Sequence, residues 1–196
     1  FLIHNRVTIH IVAKKIEKTP AIPAPLVLSP SVGISYRDGV GIIQSFGNGK
    51  STGMDLQSVV QEMRPVIYQA GRIALDHFRN VKAERKADRS FVTAADRDVE
   101  QFVREELLHR FPEHGVYGEE TGHHRMKDAE YVWAIDPIDG TAPFVYELPV
   151  WCISVGLLNK HQPLAGFVYW PVTDELFWAV DGGPACLNNR VIQVAE

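Results

Sequence analysis

Tyr131-Val132-Trp133-Ala134-Ile135-Asp136-Pro137-Ile138-Asp139-Gly140-Thr141 decides how this chain is read. Its first five residues are apolar or aromatic and read as a short buried strand. The strand ends in a carboxylate, Asp136. Pro137 fixes the backbone there, and Asp139 follows three residues on, across a turn that Gly140 permits. The two carboxylates and the carbonyl of Ile138 can converge on one point. Oxygen ligands without sulfur or imidazole suit a hard cation, Mg²⁺ first, Mn²⁺ or Ca²⁺ next. Gly140 and Thr141 can open a helix or turn whose free N–H groups face an anion, and a phosphate suits the place beside the metal. A plain Asp-Gly turn with a capping Asp is the simpler reading. The complete hexapeptide at the end of an apolar strand favours the metal.

Upstream lie two more polar segments, Gly118-Glu119-Glu120-Thr121-Gly122 and Val92-Thr93-Ala94-Ala95-Asp96. Carboxylates gathered at a strand end repel one another unless a cation lies between them, so the Glu pair strengthens the metal reading. Two helices precede the strand. Asp55 is a candidate N-cap for the first, whose apolar residues (Leu56, Val59, Val60, Met63, Ile67, Ala70, Ala74) recur at helical spacing. Pro65 should kink or split it. Residues 79–90 read as a polar loop or short hairpin. Thr93 and Asp96 have capping-box spacing, and Val99, Phe102, Val103, Leu107 and Phe111 make the stripe of the second helix, which Pro112 stops.

Downstream, residues 151–158, 164–170 and 175–180 read as further strands joined by tight turns, which means antiparallel pairing. Two helices followed by an antiparallel sheet give an α+β class. Tyr131, Trp133, Trp151, Trp170 and Trp178 are expected to fill strand faces. The eight histidines form no cluster that reads as a site.

The bulk numbers agree with an ordinary globular domain: 45% hydrophobic, 22% charged, formal net charge -4. That charge argues against nucleic acid held by bulk electrostatics. No apolar run approaches the roughly 20 residues of a membrane span. Two isolated cysteines, Cys152 and Cys186, read as buried thiols. Residues 1–53 differ in texture, with a Pro-rich and a Gly-rich stretch and six Lys/Arg against two acids. They read as a leader, disordered or non-native upstream sequence, with Met54 as the natural start. Gly49-Lys50-Ser51 is no P-loop, because Gln44 stands where that loop needs its first glycine.

Taken in order and spacing, the three polar segments resemble the signature of the inositol monophosphatase family, over about residues 54–196. The resemblance implies a layered αβαβα sugar-phosphatase fold, of which this chain holds the first helix pair and the antiparallel sheet. It implies an Mg²⁺-dependent, lithium-sensitive phosphoric monoester hydrolase using two or three ions. Glu119, Asp136 and the Ile138 carbonyl would hold the first ion. Asp136 would bridge to a second that Asp139 also holds, and Glu120 would support a weaker third. Asp139, Gly140 and Thr141 would face the phosphate. Lys86 matches the basic residue of a mobile loop, although a solvated surface lysine is an equal reading. Asp96 would orient the Thr141 hydroxyl, which with Glu119 positions the attacking water; a simple helix cap is the alternative. The implied substrate is a small phosphate monoester, inositol monophosphate by default. Fructose bisphosphate, histidinol phosphate and 3′-phosphoadenosine phosphates are substrates of relatives. A cytoplasmic enzyme, a homodimer at full length, is implied, with neither nucleic-acid nor membrane partners.

Two departures qualify that picture. Ala142-Pro143 stand where family members usually place an Asn, which bears on the helix start beside the phosphate. The family's later Trp-Asp-x-Ala-Ala segment, with the last ligand of the second metal, does not occur. The chain is therefore expected to lack its C-terminal domain, to expose apolar surface where that domain docks, and to be a weak or inactive metal-binding fragment by itself.

Overall fold

The computed structural model of the chain describes residues 34–37, 40–43, 53–80, 83–85, 91–125, 129–160 and 162–193. Of the expected leader, the backbone of one antiparallel hairpin is described, β1 (Ile34–Arg37) with β2 (Val40–Ile43). Most of residues 1–53 lie outside the described residues, as does Lys86.

The first helix, α1 (Leu56–His77), starts as its cap predicts: the Asp55 carboxylate accepts the Gln57 N–H at 3.0 Å. It runs unbroken through Pro65, contrary to the expected split. The lost backbone bond is outweighed by a face of Val59, Val60, Met63, Val66, Ile67, Ala70 and Ala74, all buried. A Cβ on Gly71 would collide with the Tyr169 ring, so this glycine sets how closely the helix approaches the sheet. A short hairpin follows, β3 (Glu84–Arg85) with β4 (Phe91–Val92), and leads through Thr93 into α2 (Ala94–Arg110).

The remaining elements are β5 (Gly115–Gly118), β6 (Gly122–His124), β7 (Tyr131–Asp139), α3 (Thr141–Val145), β8 (Cys152–Asn159), β9 (Gln162–Trp170), β10 (Glu175–Val180), β11 (Cys186–Leu187) and β12 (Arg190–Val191). They build one eight-stranded sheet in the order β12-β11-β10-β9-β8-β7-β5-β6. Every pair in it is antiparallel except β5 with β7, which run parallel. Helices α1 and α2 pack on each other; α1 also contacts β9 and β8, and α2 contacts β7 and β5. The core lies between these helices and the sheet and includes Trp133, Ile135, Ile153, Val155, Leu157 and Phe167. The class is α+β. Among the described residues no helix is long and apolar enough to cross a membrane.

Two features of this sheet were not foreseen. The strands β5 and β6 are short and show no period of their own in the sequence. The strand β7 does not stop at Ile135 but continues to Asp139 through a register shift against β8.

Candidate active site

That register shift does the first piece of positioning. Asp136 lies opposite Ser154 and Asp139 opposite Cys152, so β7 carries one more residue than β8 between those two pairs. In a regular strand, residues three apart face opposite sides. The extra residue restores the phase and sets Asp136 and Asp139 on one face of the sheet. Pro137 sits inside the irregularity, where a missing ladder N–H is tolerated. Ile138 is buried in the main core. The Cys152 Sγ lies 3.8 Å from Asp139 Oδ2. Burial, and then the charges of Asp139 and Asp136, push its thiol up to about 12, so it stays a neutral, inert donor.

The turn out of β7 is built from its own residues. Gly140 takes φ 98°, the left-handed region, and a Cβ there would press on the Val150 carbonyl at 3.2 Å. Helix α3 starts at Thr141 with Gly140 as its N-cap, and Phe144 donates to the Gly140 carbonyl at 3.0 Å. The Ala142-Pro143 departure leaves this start intact, because proline in a first helical turn gives up an N–H that has no intrahelical acceptor. Buried Phe144 anchors the turn against Trp151 and Phe78, at centroid distances of 4.8 and 5.3 Å. The Thr141 hydroxyl lies 3.1 Å from the Ile138 carbonyl and 3.3 Å from Asp96 Oδ1. It has one proton, so these two acceptors compete for it.

Asp96 is 2% exposed. Its Oδ2 accepts the Thr93 N–H at 2.8 Å and the Thr93 hydroxyl at 2.7 Å, completing the capping box of α2. Its Oδ1 faces Thr141. Cap and threonine partner, offered by the sequence as alternatives, are therefore the two oxygens of one carboxylate. Burial raises the Asp96 pKa from its ordinary value, against the hydrogen bonds from Thr93 and Thr141.

The second approach comes along β5. Gly118 is registered in parallel with Ile135, so Glu119, the first residue past β5, leaves the sheet beside the point where β7 runs on into Asp136. The turn after β5 is held from outside by a residue that sequence reasoning missed. Glu100, on α2 and fully buried, accepts the Glu120 N–H on Oε2 and the Thr121 N–H on Oε1, both at 2.7 Å. One helical turn further, Arg104 donates to the Thr121 hydroxyl at 2.6 Å and the Gly122 carbonyl at 3.3 Å. A Cβ on Gly118 would collide with the Glu100 carboxylate. The available signal was a charged row, Asp96, Glu100 and Arg104, at four-residue spacing beside the apolar row Val99, Val103 and Leu107. His123, on β6, stacks against Tyr117 at 5.1 Å.

The structure thus brings Asp136, Ile138, Asp139, Gly140, Thr141 and Asp96 together, with Glu119 and Glu120 on the adjoining turn. It does not close the carboxylates on one point: among the described residues no three Asp, Glu, His or Cys side chains are gathered tightly enough to hold an ion as they stand. The donor set, carboxylates and a carbonyl, nonetheless fits Mg²⁺ in chemistry.

A model of the inositol monophosphatase family matches residues 55–196. The chain belongs to that family. Inositol monophosphatase 3 of Solanum lycopersicum is 40% identical over 133 residues, which are 65% of this chain and 49% of that protein. A fructose-1,6-bisphosphatase/inositol-1-monophosphatase of Aquifex aeolicus is 33% identical over 145 residues, 72% of this chain and 54% of that one. Among solved structures, an IMPase/NADP phosphatase complexed with Mg²⁺ and phosphate superposes with a TM-score of 0.64 at 26% identity, covering 70% of this chain and 53% of the other. As a member of the inositol monophosphatase family, the chain spans about half the length of the curated relatives it matches.

Proposed function

We propose that this protein is a Mg²⁺-dependent phosphatase of small phosphate monoesters, with inositol monophosphate as its first candidate substrate. The observation that carries the reading is the register of β5 and β7, in which Glu119 follows Gly118 just as Asp136 follows Ile135. Family membership and the relative solved with Mg²⁺ and phosphate support the metal. Glu119, Asp136, the Ile138 carbonyl and Asp139 would hold the ions, two of them or three with Glu120. When bound, Mg²⁺ neutralises phosphate charge and acidifies water.

The chain's own groups do the rest. The phosphate would lie against the first-turn N–H groups of Gly140 and Thr141, which helix geometry leaves without intrahelical acceptors. The Thr141 hydroxyl, turned by Asp96, orients the attacking water for in-line attack on phosphorus, with Glu119 as its second partner. Asp96 suits this role because its Oδ2 is occupied by Thr93 and only Oδ1 faces Thr141. A cytoplasmic homodimer belongs to the same reading.

The test is phosphate release from inositol monophosphate, fructose 1,6-bisphosphate and NADP, with Mg²⁺ and with a chelator. Release from at least one substrate that needs Mg²⁺ is the expected result. Release indifferent to the chelator, or none from any substrate, overturns it. A second reading is metal binding without turnover. It would be upheld by Mg²⁺ binding in calorimetry with no phosphate released.

A further inference from the structure

The turn that carries Glu119 and Glu120 is short, polar and at the sheet's end, yet its backbone is gripped by a side chain twenty residues upstream. Glu100 is fully buried, and burying a carboxylate is costly unless its oxygens are satisfied. Here each oxygen takes one N–H of the turn, Glu120 on one and Thr121 on the other. Gly118, the last residue of β5, leaves the room in which that carboxylate sits. Arg104 grips the same turn with the opposite chemistry, a cation on the Thr121 hydroxyl and the Gly122 carbonyl. An anion on the turn's donors and a cation on its acceptors, four residues apart on one helix face, fix its position and orientation together.

We propose that Glu100, with Arg104 in support, is a positioning residue that sets the metal affinity of the site by holding the backbone of the Glu119–Glu120 turn. This rests on the metal-binding reading above. A carboxylate that accepts only backbone N–H groups touches neither ion nor substrate. Its influence runs through where Glu119 can point. Groups that orient metal ligands in this way are typically worth about 10–100-fold in metal affinity. Asp96 on the same helix, four residues earlier, orients Thr141 instead. The helix α2 therefore serves both approaches to the site from one row of side chains.

The experiment compares wild type, Glu100→Gln and Arg104→Met by Mg²⁺ titration in calorimetry. Thermal melting and amide exchange at Glu120 and Thr121 are followed alongside. Glu100→Gln keeps the shape but offers one oxygen for two N–H groups. Mg²⁺ binding should weaken by about 10-fold or more, with faster exchange at those two amides and a melting temperature within a few degrees of wild type. Where phosphate release is measurable, kcat at saturating Mg²⁺ should recover while the Mg²⁺ requirement rises. If Glu100→Gln fails to fold, Arg104→Met, whose side chain lies at the surface end of the grip, should still weaken Mg²⁺ binding several-fold without a change in melting. Wild-type affinity in whichever of these variants folds overturns the inference alone. A wild-type chain that binds no Mg²⁺ overturns the metal reading and the inference with it.

Discussion

Two turns deliver carboxylates to the same end of the sheet, and they are held in opposite ways. The turn after β7 determines itself. Pro137, the extra residue in the strand, the left-handed Gly140 and the Thr141 hydroxyl folded back onto Ile138 all lie within six residues. The turn after β5 is held by α2, through Glu100 and Arg104. A self-determined turn can be read from its own residues. A turn held from outside can be read only once the helix that holds it is in place.

The comparison can be broken most forcefully at the metal. Asp136→Asn removes a buried carboxylate from the self-determined turn, and phosphate release should fall by about 10³-fold or more, several kcal/mol of charge stabilisation being at stake. Glu120→Gln, on the held turn, should cost far less. Comparable losses in steady-state assays would show the two turns to be equal partners. Next come Asp96→Asn and Thr141→Ala. Each should lower kcat by roughly 10²–10⁴-fold, and the double variant should be scarcely slower than either. Only Asp96→Asn should also cost about 1 kcal/mol of stability, because Thr141 has no part in the α2 cap. Rate losses that multiply would dissolve the pair.

Smaller effects separate the turns structurally. Gly140→Ala meets a backbone conformation that costs an L-residue about 1–2 kcal/mol, and no neighbouring side chain can relieve it. Gly118→Ala has no such backbone problem but drives a methyl into the Glu100 carboxylate, an overpacking worth about 1–3 kcal/mol. Shortening that side chain should undo the damage. In thermal melting, Glu100→Asp should therefore restore part of the stability of Gly118→Ala and none of that of Gly140→Ala. The mildest test lies at the far end of the same two strands. His114, just before β5, accepts the Trp133 indole N–H on Nδ1 at 3.0 Å, and burial lowers its pKa below the usual 6.5. A depressed histidine supports the fold fully above the unfolded value and loses that support as pH falls through the folded one. Melting temperature should decline below pH 6.5, and more shallowly in His114→Phe.

Much of this was legible in advance. Both helices, the four long strands and the hexapeptide turn announce themselves by period, cap and turn chemistry over short spans. What escaped did so for physical reasons. The strands β5 and β6 are too short to show a period, and their place comes from pairing with β7 and each other. Pro65 looked like a break because its local cost is visible in sequence, whereas the burial that offsets it belongs to the assembled core. Glu100 went unremarked, since nothing local says that its carboxylate meets two backbone N–H groups about twenty residues away.

The shared carboxylate of Asp96 has one more consequence. Its two oxygens fasten the first turn of α2 and aim the Thr141 hydroxyl at once. Fraying of that helix end and loss of the aimed hydroxyl are then a single opening event. Helix ends open long before a domain melts. Under the proposed function, warming should silence phosphate release reversibly at temperatures where the core is still intact, so that the heat-inactivation curve runs ahead of the melting curve.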